Sequence, residues 1–375
     1  MQTLRMLEES TALDELGIGV IRDAYSDILF PGISTLQTKA KYFVLIPYLF
    51  GMAERENFKR SADILPWLQR QEDLIVPVLM KNSNDITGII GHLAHRRGKS
   101  VKAKPSGIYW NGMRTYEILR NDSLSISNVC NIIYGKQTRK NAVTIKTETK
   151  RHGNDGFDDE TAINENTPIF SAIRSQYAVM SETGIDLTKE EAIFLYDKIT
   201  KAQKSRDSLL AFMLREKLLF SDFDSINDSV LPNTLAVNVR LAKDFADFIF
   251  GAHICYNVIY SENMDADKIN DYQKWQDSFD FNAFDISAVL SRVNCDIHTT
   301  AFLEGFYEAA KAKDNEIAEK LIINREKAKK SDRAKLGKPQ EYRYDSGRPV
   351  HYYKLNYRYP TAKTIISDIL SGLEG

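Results

Sequence analysis

Residues Lys150 to Thr167 read KRHGNDGFDDETAINENT, and almost nothing in that run can be buried. A stretch so polar, carrying Gly153 and Gly156, offers no face to a core and is predicted to be a linker or a long surface loop. It constrains folding more than any motif, because the sequence on either side must find its own apolar core. With 375 residues, 43% hydrophobic and 10% aromatic, there is material for two such cores. The expected plan is an N-terminal helical domain over 1–149, the linker 150–167, a second helical domain over 168–335, and a C-terminal piece over 336–375.

Charge divides along the same lines. The chain is almost neutral, with 50 Lys+Arg against 51 Asp+Glu. From His95 to Arg151, however, thirteen basic side chains face only three acids, Glu117, Asp122 and Glu148. Arg96, Arg97, Lys99, Lys102 and Lys104 open this block. Arg139 and Lys140 follow, and Tyr109, Trp110, Tyr116 and Tyr134 are interleaved. Such a block points to a polyanionic partner: cations for phosphates, exposed rings for stacking on bases. Asp222 to Asp296 carries thirteen acids and five basic residues, which argues against nucleic acid on that stretch.

The elements read as mostly helical. Pro31-Gly32 breaks a first helix, and a second is expected over Lys39–Phe50, ended or kinked by Pro47. A third runs from Glu54 to Met80, with Pro66 and Pro77 as breaks. Two short helices, Gly112–Arg120 and Ser125–Tyr134, flank a turn at Asn121-Asp122-Ser123. Val143–Lys146 could form a strand. Thr188 and Glu191 are spaced as a capping box. Phe245 to Tyr260 is the nearest approach to a membrane span, but Asp247, His253 and Asn257 interrupt it. Glu304 to Arg333 suits a charged helix with pairs such as Glu316–Lys320. Tyr342 to Tyr359 alternates aromatic and basic residues around Asp345-Ser346-Gly347, which predicts a β-hairpin. A lone hairpin needs cover. This one is expected to dock on the N-terminal domain, bringing Arg343 and Arg348 to the basic face. A helix over Thr361–Leu370 closes the chain. The predicted fold class is mainly α, two-domain, with small β elements.

Reaction chemistry is thinly signalled. Gly98-Lys99-Ser100 lacks the earlier glycine and the following helix of a phosphate-binding loop. His92 and His95 have the wrong spacing for a zinc hydrolase, and His253 and Cys255 diverge on a helix, so no metal or cofactor is expected. His351 has no lysine at the offset of a phospholipase-D-type nuclease. Asp122, Glu148 and Lys150 do have the spacing of a restriction-type Mg²⁺ nuclease, with Val143–Lys146 as its strand. That is the alternative reading as an enzyme. A protein-binding adaptor without nucleic acid is the other alternative, since Tyr and Arg are also common in protein interfaces. The N-terminal residues have no apolar signal region, and three cysteines make no disulfide framework, so a cytoplasmic protein away from membranes is expected.

Four blocks carry a resemblance: ELGIGVIRDAYSDILFPGISTLQTKAKYF, KAKPSGIYWNGM, LTKEEAIFLYDKIT and LNYRYPTAKTIISDILSGL. Together they resemble a bacterial family known as a domain of unknown function. Its genes sit in defence islands beside a helicase and a phospholipase-D-type nuclease, as in the anti-phage system called Azaca. The resemblance transfers no catalytic residue. It implies a non-enzymatic, nucleic-acid-contacting subunit of a defence complex, with DNA, a helicase and a nuclease as partners.

Overall fold

The structure, a computed structural model, describes residues 14–148, 168–171 and 182–375, with side chains described outside 140–148. The expected linker 150–167 lies outside the described residues. In chain order the α-helices are α1 (Gly19–Leu29), α2 (Tyr42–Ala53), α3 (Ile64–Lys81), α4 (His92–Arg96), α5 (Pro105–Thr115), α6 (Ile126–Glu148), α7 (Lys189–Lys201) and α8 (Leu209–Arg215). They continue as α9 (Asn233–Tyr260), α10 (Ala266–Ser278), α11 (Ile286–Leu290), α12 (Ile297–Lys311), α13 (Asn315–Lys330) and α14 (Tyr359–Glu374). These helices form two compact units. One contains the described part of Met1–Phe30 together with Phe220–Pro360; the other contains the described parts of Pro31–Leu219 with Thr361–Gly375.

In the Pro31–Leu219 unit, α2 (YFVLIPYLFGMA) is apolar on every side and nine of its residues are buried, as expected of a central helix. Pro47 sits inside it without ending it. In α3, Pro66 falls in the first turn, where its missing N–H costs nothing, and Pro77 lies within the helix. The ring of Phe43 meets Tyr109 at 4.8 Å and Tyr116 at 5.3 Å between centroids. Helix α5 approaches so closely that a Cβ on Gly112 would lie 2.6 Å from the Phe43 ring and 2.7 Å from the Gly32 carbonyl oxygen. The capping box is formed: Thr188 Oγ1 accepts from Glu191 N–H and Glu191 Oε2 accepts from Thr188 N–H.

In the Phe220–Pro360 unit the long α9 is central, and its second half is buried almost all round. A Cβ on Gly251 would fall 2.1 Å from the Trp275 indole, so only glycine lets α10 pack there. The predicted charged helix is two helices, α12 and α13, joined by a turn in which Lys313 takes a φ of 54°. Glu316 and Lys320 pair at 2.5 Å as expected.

The predicted small β elements are absent. No sheet is present among the described residues, where an isolated bridge joins Leu119 and Phe170. Val143–Lys146, the candidate strand, is part of α6. Tyr342–Tyr359 forms no hairpin: up to the start of α14 it is turns and irregular chain, with His351, Tyr357 and Arg358 at positive φ, and it packs on α9 and α10. Asn257 replaces the neighbouring strand. Its side-chain amide donates to Val350 O at 2.7 Å and accepts from Val350 N–H at 2.8 Å. The aromatic alternation is real but serves a helix surface. Tyr344 donates to Asp265 Oδ2, Tyr357 donates to Ala242 O, and Tyr352 packs on Phe250. The three polar residues that interrupt the apolar run of α9 all meet this segment: Asp247 pairs with Lys354, His253 stacks on His351, and Asn257 brackets Val350.

Candidate nucleic-acid interface

The basic loop leaves α3 through Gly88 and Gly91 and is pinned at its base. Thr38 Oγ1 donates to Gly88 O at 2.7 Å, and the Tyr42 hydroxyl accepts from Ile90 N–H at 2.8 Å. Ile89 is buried. Gly91, with φ at 91°, turns the chain into the single turn of α4, and Gly98, with φ at 63°, ends it. Arg96 and Arg97 come from this turn, and Lys99 and Lys102 from the irregular stretch after it. All four are exposed, and none has an ion-pair or hydrogen-bond partner for its side chain among the described residues.

Lys104 differs. Its Nζ lies 2.5 Å from Asp73 Oδ1 and 2.8 Å from Ser100 Oγ, which itself donates to Asp73 Oδ2. Its charge is already matched. The first free amide of α5 is also taken: Ser106 N–H donates at 2.6 Å to the buried carboxylate of Glu72. Burial pushes that carboxyl above its usual range, and the bonds from Ser106 pull the other way. A phosphate seated on the N-terminus of α5 would have to displace Glu72, so Gly98-Lys99-Ser100 is not a phosphate-binding loop in geometry either.

Tyr109 and Trp110 are core residues. Tyr109 is fully buried; its hydroxyl accepts from Thr38 and Lys39 N–H and donates to Lys39 O. Trp110 donates its indole N–H to Leu124 O at 3.0 Å and packs on Phe50 and Phe170. Neither ring is available to stack on a base. Arg139 is exposed on α6, and the side chain of Lys140 lies outside the described residues. Arg343 and Arg348 are exposed but belong to the Phe220–Pro360 unit. The basic partners expected beside them in the C-terminal segment are neutralised there: Lys354 by Asp247, and Arg358 by Asp23 and Asp27 at 3.1 and 2.7 Å.

Asp122 and Glu148, of the nuclease alternative, do not sit on a strand. Asp122 is exposed in the turn before α6 and pairs with Lys204 at 2.6 Å, which holds its carboxyl below the usual range. Glu148 is the last residue of α6, and Lys150 lies outside the described residues. Among the described residues no three His, Cys, Asp or Glu side chains are grouped to hold a metal ion. His253 and Cys255 are both buried in α9, where burial pushes the histidine down to about 3 and the thiol up to about 12.

A buried ionic cluster with no local signal in the sequence lies in the Phe220–Pro360 unit. Glu15 Oε1 lies 2.5 Å from Lys330 Nζ and 2.9 Å from Lys335 Nζ, and Oε2 lies 3.6 Å from His351 Nε2. Glu326 accepts from Tyr256 OH and from the N–H groups of Lys335 and Leu336. Burial pushes the Glu15 carboxyl up, but the close contacts with His351, Lys330 and Lys335 outweigh it and hold it at about 2. A carboxylate so firmly ionised is a structural tie rather than a general acid or base, which needs a value nearer the working pH.

Residues 1–149 match the model of a family of unknown function (DUF6361). That stretch includes Glu15, the loop cations and all of α2 to α6. The blocks that carry the resemblance are chiefly packing elements: Tyr109 and Gly112 in KAKPSGIYWNGM, Tyr25 and Glu15 near the start, and Asp368, whose Oδ2 accepts from Ala40 N–H at 2.9 Å, near the end. No curated protein and no solved structure matches the chain. No helix among the described residues is long and apolar enough to cross a membrane.

Proposed function

We propose that the chain binds nucleic acid by its phosphates, through Arg96, Arg97, Lys99 and Lys102, without cutting it. The supporting observation is that these four cations are exposed and unmatched on an anchored turn, while Lys104 beside them is matched by Asp73. Long-range attraction to a polyanion needs only such unmatched surface charge. With Tyr109 and Trp110 in the core, the contact has no stacking component and reads no sequence. Following the resemblance, the setting is a cytoplasmic anti-phage complex, in which a helicase and a nuclease supply the chemistry and this chain holds the DNA.

Four phosphate contacts predict a log–log salt slope of about −3.6 on duplex DNA, a loss of roughly a hundredfold in affinity between about 50 and 200 mM salt. Fluorescence anisotropy with a labelled duplex measures it. Replacing Arg96, Arg97, Lys99 and Lys102 by Ala should remove the binding, whereas Lys313→Ala, on a turn of the Phe220–Pro360 unit, should not. A flat salt response would refute the reading in favour of a protein-binding adaptor. Mg²⁺-dependent cleavage lost on Glu148→Ala would refute it in favour of a nuclease. Co-purification of the neighbouring helicase with the tagged chain tests the assembly.

A further inference from the structure

The Phe220–Pro360 unit contains a cavity of about 540 Å³, within the size range of small-molecule sites. Helix α9 presents Asp244, Asp247 and Phe250 to it at helical spacing. Helix α10 contributes Asp271 and Trp275, and the C-terminal segment contributes Tyr352. Phe279 and Phe284, from the chain between α10 and α11, complete an aromatic wall.

The charges at this cavity are not equally satisfied. Asp247 is paired with Lys354, and Asp271 accepts the Tyr352 hydroxyl. Asp280 accepts the N–H groups of Asn282 and Ala283 at 3.1 and 3.0 Å. Asp244 has no hydrogen-bond or ion-pair partner among the described residues, although it is half-buried and one helical turn from Asp247. Burial and then the neighbouring Asp247 push its carboxyl upward; Arg240, one turn away, pulls the other way but is ion-paired with Asp228. The lining carries four aspartates against two lysines, Lys274 and Lys354. An unmatched, partly desolvated carboxylate beside a second acid is unfavourable until a cation arrives.

The aromatic wall limits which cation. Ring faces attract ammonium and guanidinium groups, and one ring of the wall already does so: Lys268 Nζ stands 3.8 Å from the centroid of Tyr352. A divalent metal needs converging carboxylates, and among the described residues no three are grouped for one. Phe250, Trp275, Phe279 and Phe284 offer apolar surface that a hydrated metal ion would not use.

We propose that this cavity binds a small organic cation, an ammonium compound with an apolar body, with its charge on Asp244 and its body against the aromatic wall. The site lies in a different unit from the basic loop and does not depend on the nucleic-acid reading.

The test uses the full chain and phenethylamine as probe, followed by isothermal titration calorimetry. Saturable binding at one site per chain is expected. The uncharged analogue 2-phenylethanol should bind at least about tenfold more weakly, the kind of loss that follows removal of one charge of a partly desolvated pair. Asp244→Asn should weaken phenethylamine by a similar factor, while Asp267→Asn, exposed on α10 and outside the cavity, should leave it unchanged. No saturation up to about 20 mM, far weaker than small-molecule sites of this size usually bind, would overturn the proposal. So would equal affinities for phenethylamine and 2-phenylethanol, a comparison that needs no variant to fold.

Discussion

Replacing Glu15 by Gln should destabilise the Phe220–Pro360 unit by about 3 kcal/mol at pH 7, a magnitude that two routes support. The carboxyl is held at about 2 against its usual 4.5, and a displacement of that size is worth about 3 kcal/mol. Independently, removing one partner of a buried ion pair costs about 3–5 kcal/mol, because the other charge is left buried. Here that charge is Lys330, with 3% of its side chain exposed. Glu326, 3.9 Å away, remains to moderate it, which favours the lower end of the range. Lys335 is more exposed and regains water. Urea unfolding followed by tryptophan fluorescence reads the effect, since Trp275 belongs to this unit and Trp67 and Trp110 belong to the other. The pH dependence gives a second check. Because the folded-state value is lowered, the stabilisation is complete above about 4.5 and is lost as pH falls toward 2. The gap between wild type and Glu15→Gln should therefore narrow across that window. His253, buried and held neutral, also destabilises the fold in acid. Glu15 raises its value, so the two proteins differ in this respect only below about pH 3, where the wild-type histidine takes up its proton, and the comparison is read from pH 5 to pH 3. Adding Lys330→Met to Glu15→Gln should recover part of the loss. A cost below about 1 kcal/mol, the size of an exposed ion pair, or a gap that stays constant from pH 5 to pH 3, would refute the reasoning.

Two further outcomes follow from packing. Gly112→Ala places a Cβ 2.6 Å from the Phe43 ring and 2.7 Å from a backbone oxygen, so it should cost about 1–3 kcal/mol, measured as a lowered urea midpoint of Trp110 fluorescence; an unchanged midpoint would show that α5 can shift. Asn257→Ala leaves the N–H and C=O of Val350 without their partner, so limited trypsin digestion at Arg348 and Lys354 should accelerate several-fold, about 1–2 kcal/mol of loosening; digestion at the wild-type rate would show that the aromatic contacts alone hold the segment.

Much of the helical framework was legible because its signals are local. The Thr188–Glu191 capping box, the Glu316–Lys320 pair and the apolar saturation of α2 are each set by residues a few positions apart, and each is found in place. Period-two alternation in Tyr342–Tyr359 predicts a hairpin, and none forms: the segment is turns and irregular chain, with His351, Tyr357 and Arg358 at positive φ. Alternation alone does not say which surface takes up the rings and the backbone groups. That was decided by Asn257, about ninety residues away, whose amide takes the place of a strand. The same blindness to distance applies to charge and rings. Composition identifies the cations from Arg96 to Lys104, but only the tertiary structure distinguishes Lys104, matched by Asp73, from the four that remain free. Tyr109 and Trp110 stand in a basic stretch and look like stacking platforms, yet the loop at Thr38–Lys39 and the carbonyl of Leu124 claim their polar atoms and the core claims their rings. Glu15 reads as one more surface acid until folding brings Lys330, Lys335 and His351 around it. Charge accumulation and single caps depend on neighbours along the chain and so show in the residue order; helix starts are less legible, since α5 begins at Pro105 rather than Gly112 and α12 at Ile297 rather than Glu304. Which charges are cancelled, which rings are buried and which acid is left facing an open cavity depend on contacts between distant segments, and the tertiary structure alone decided them.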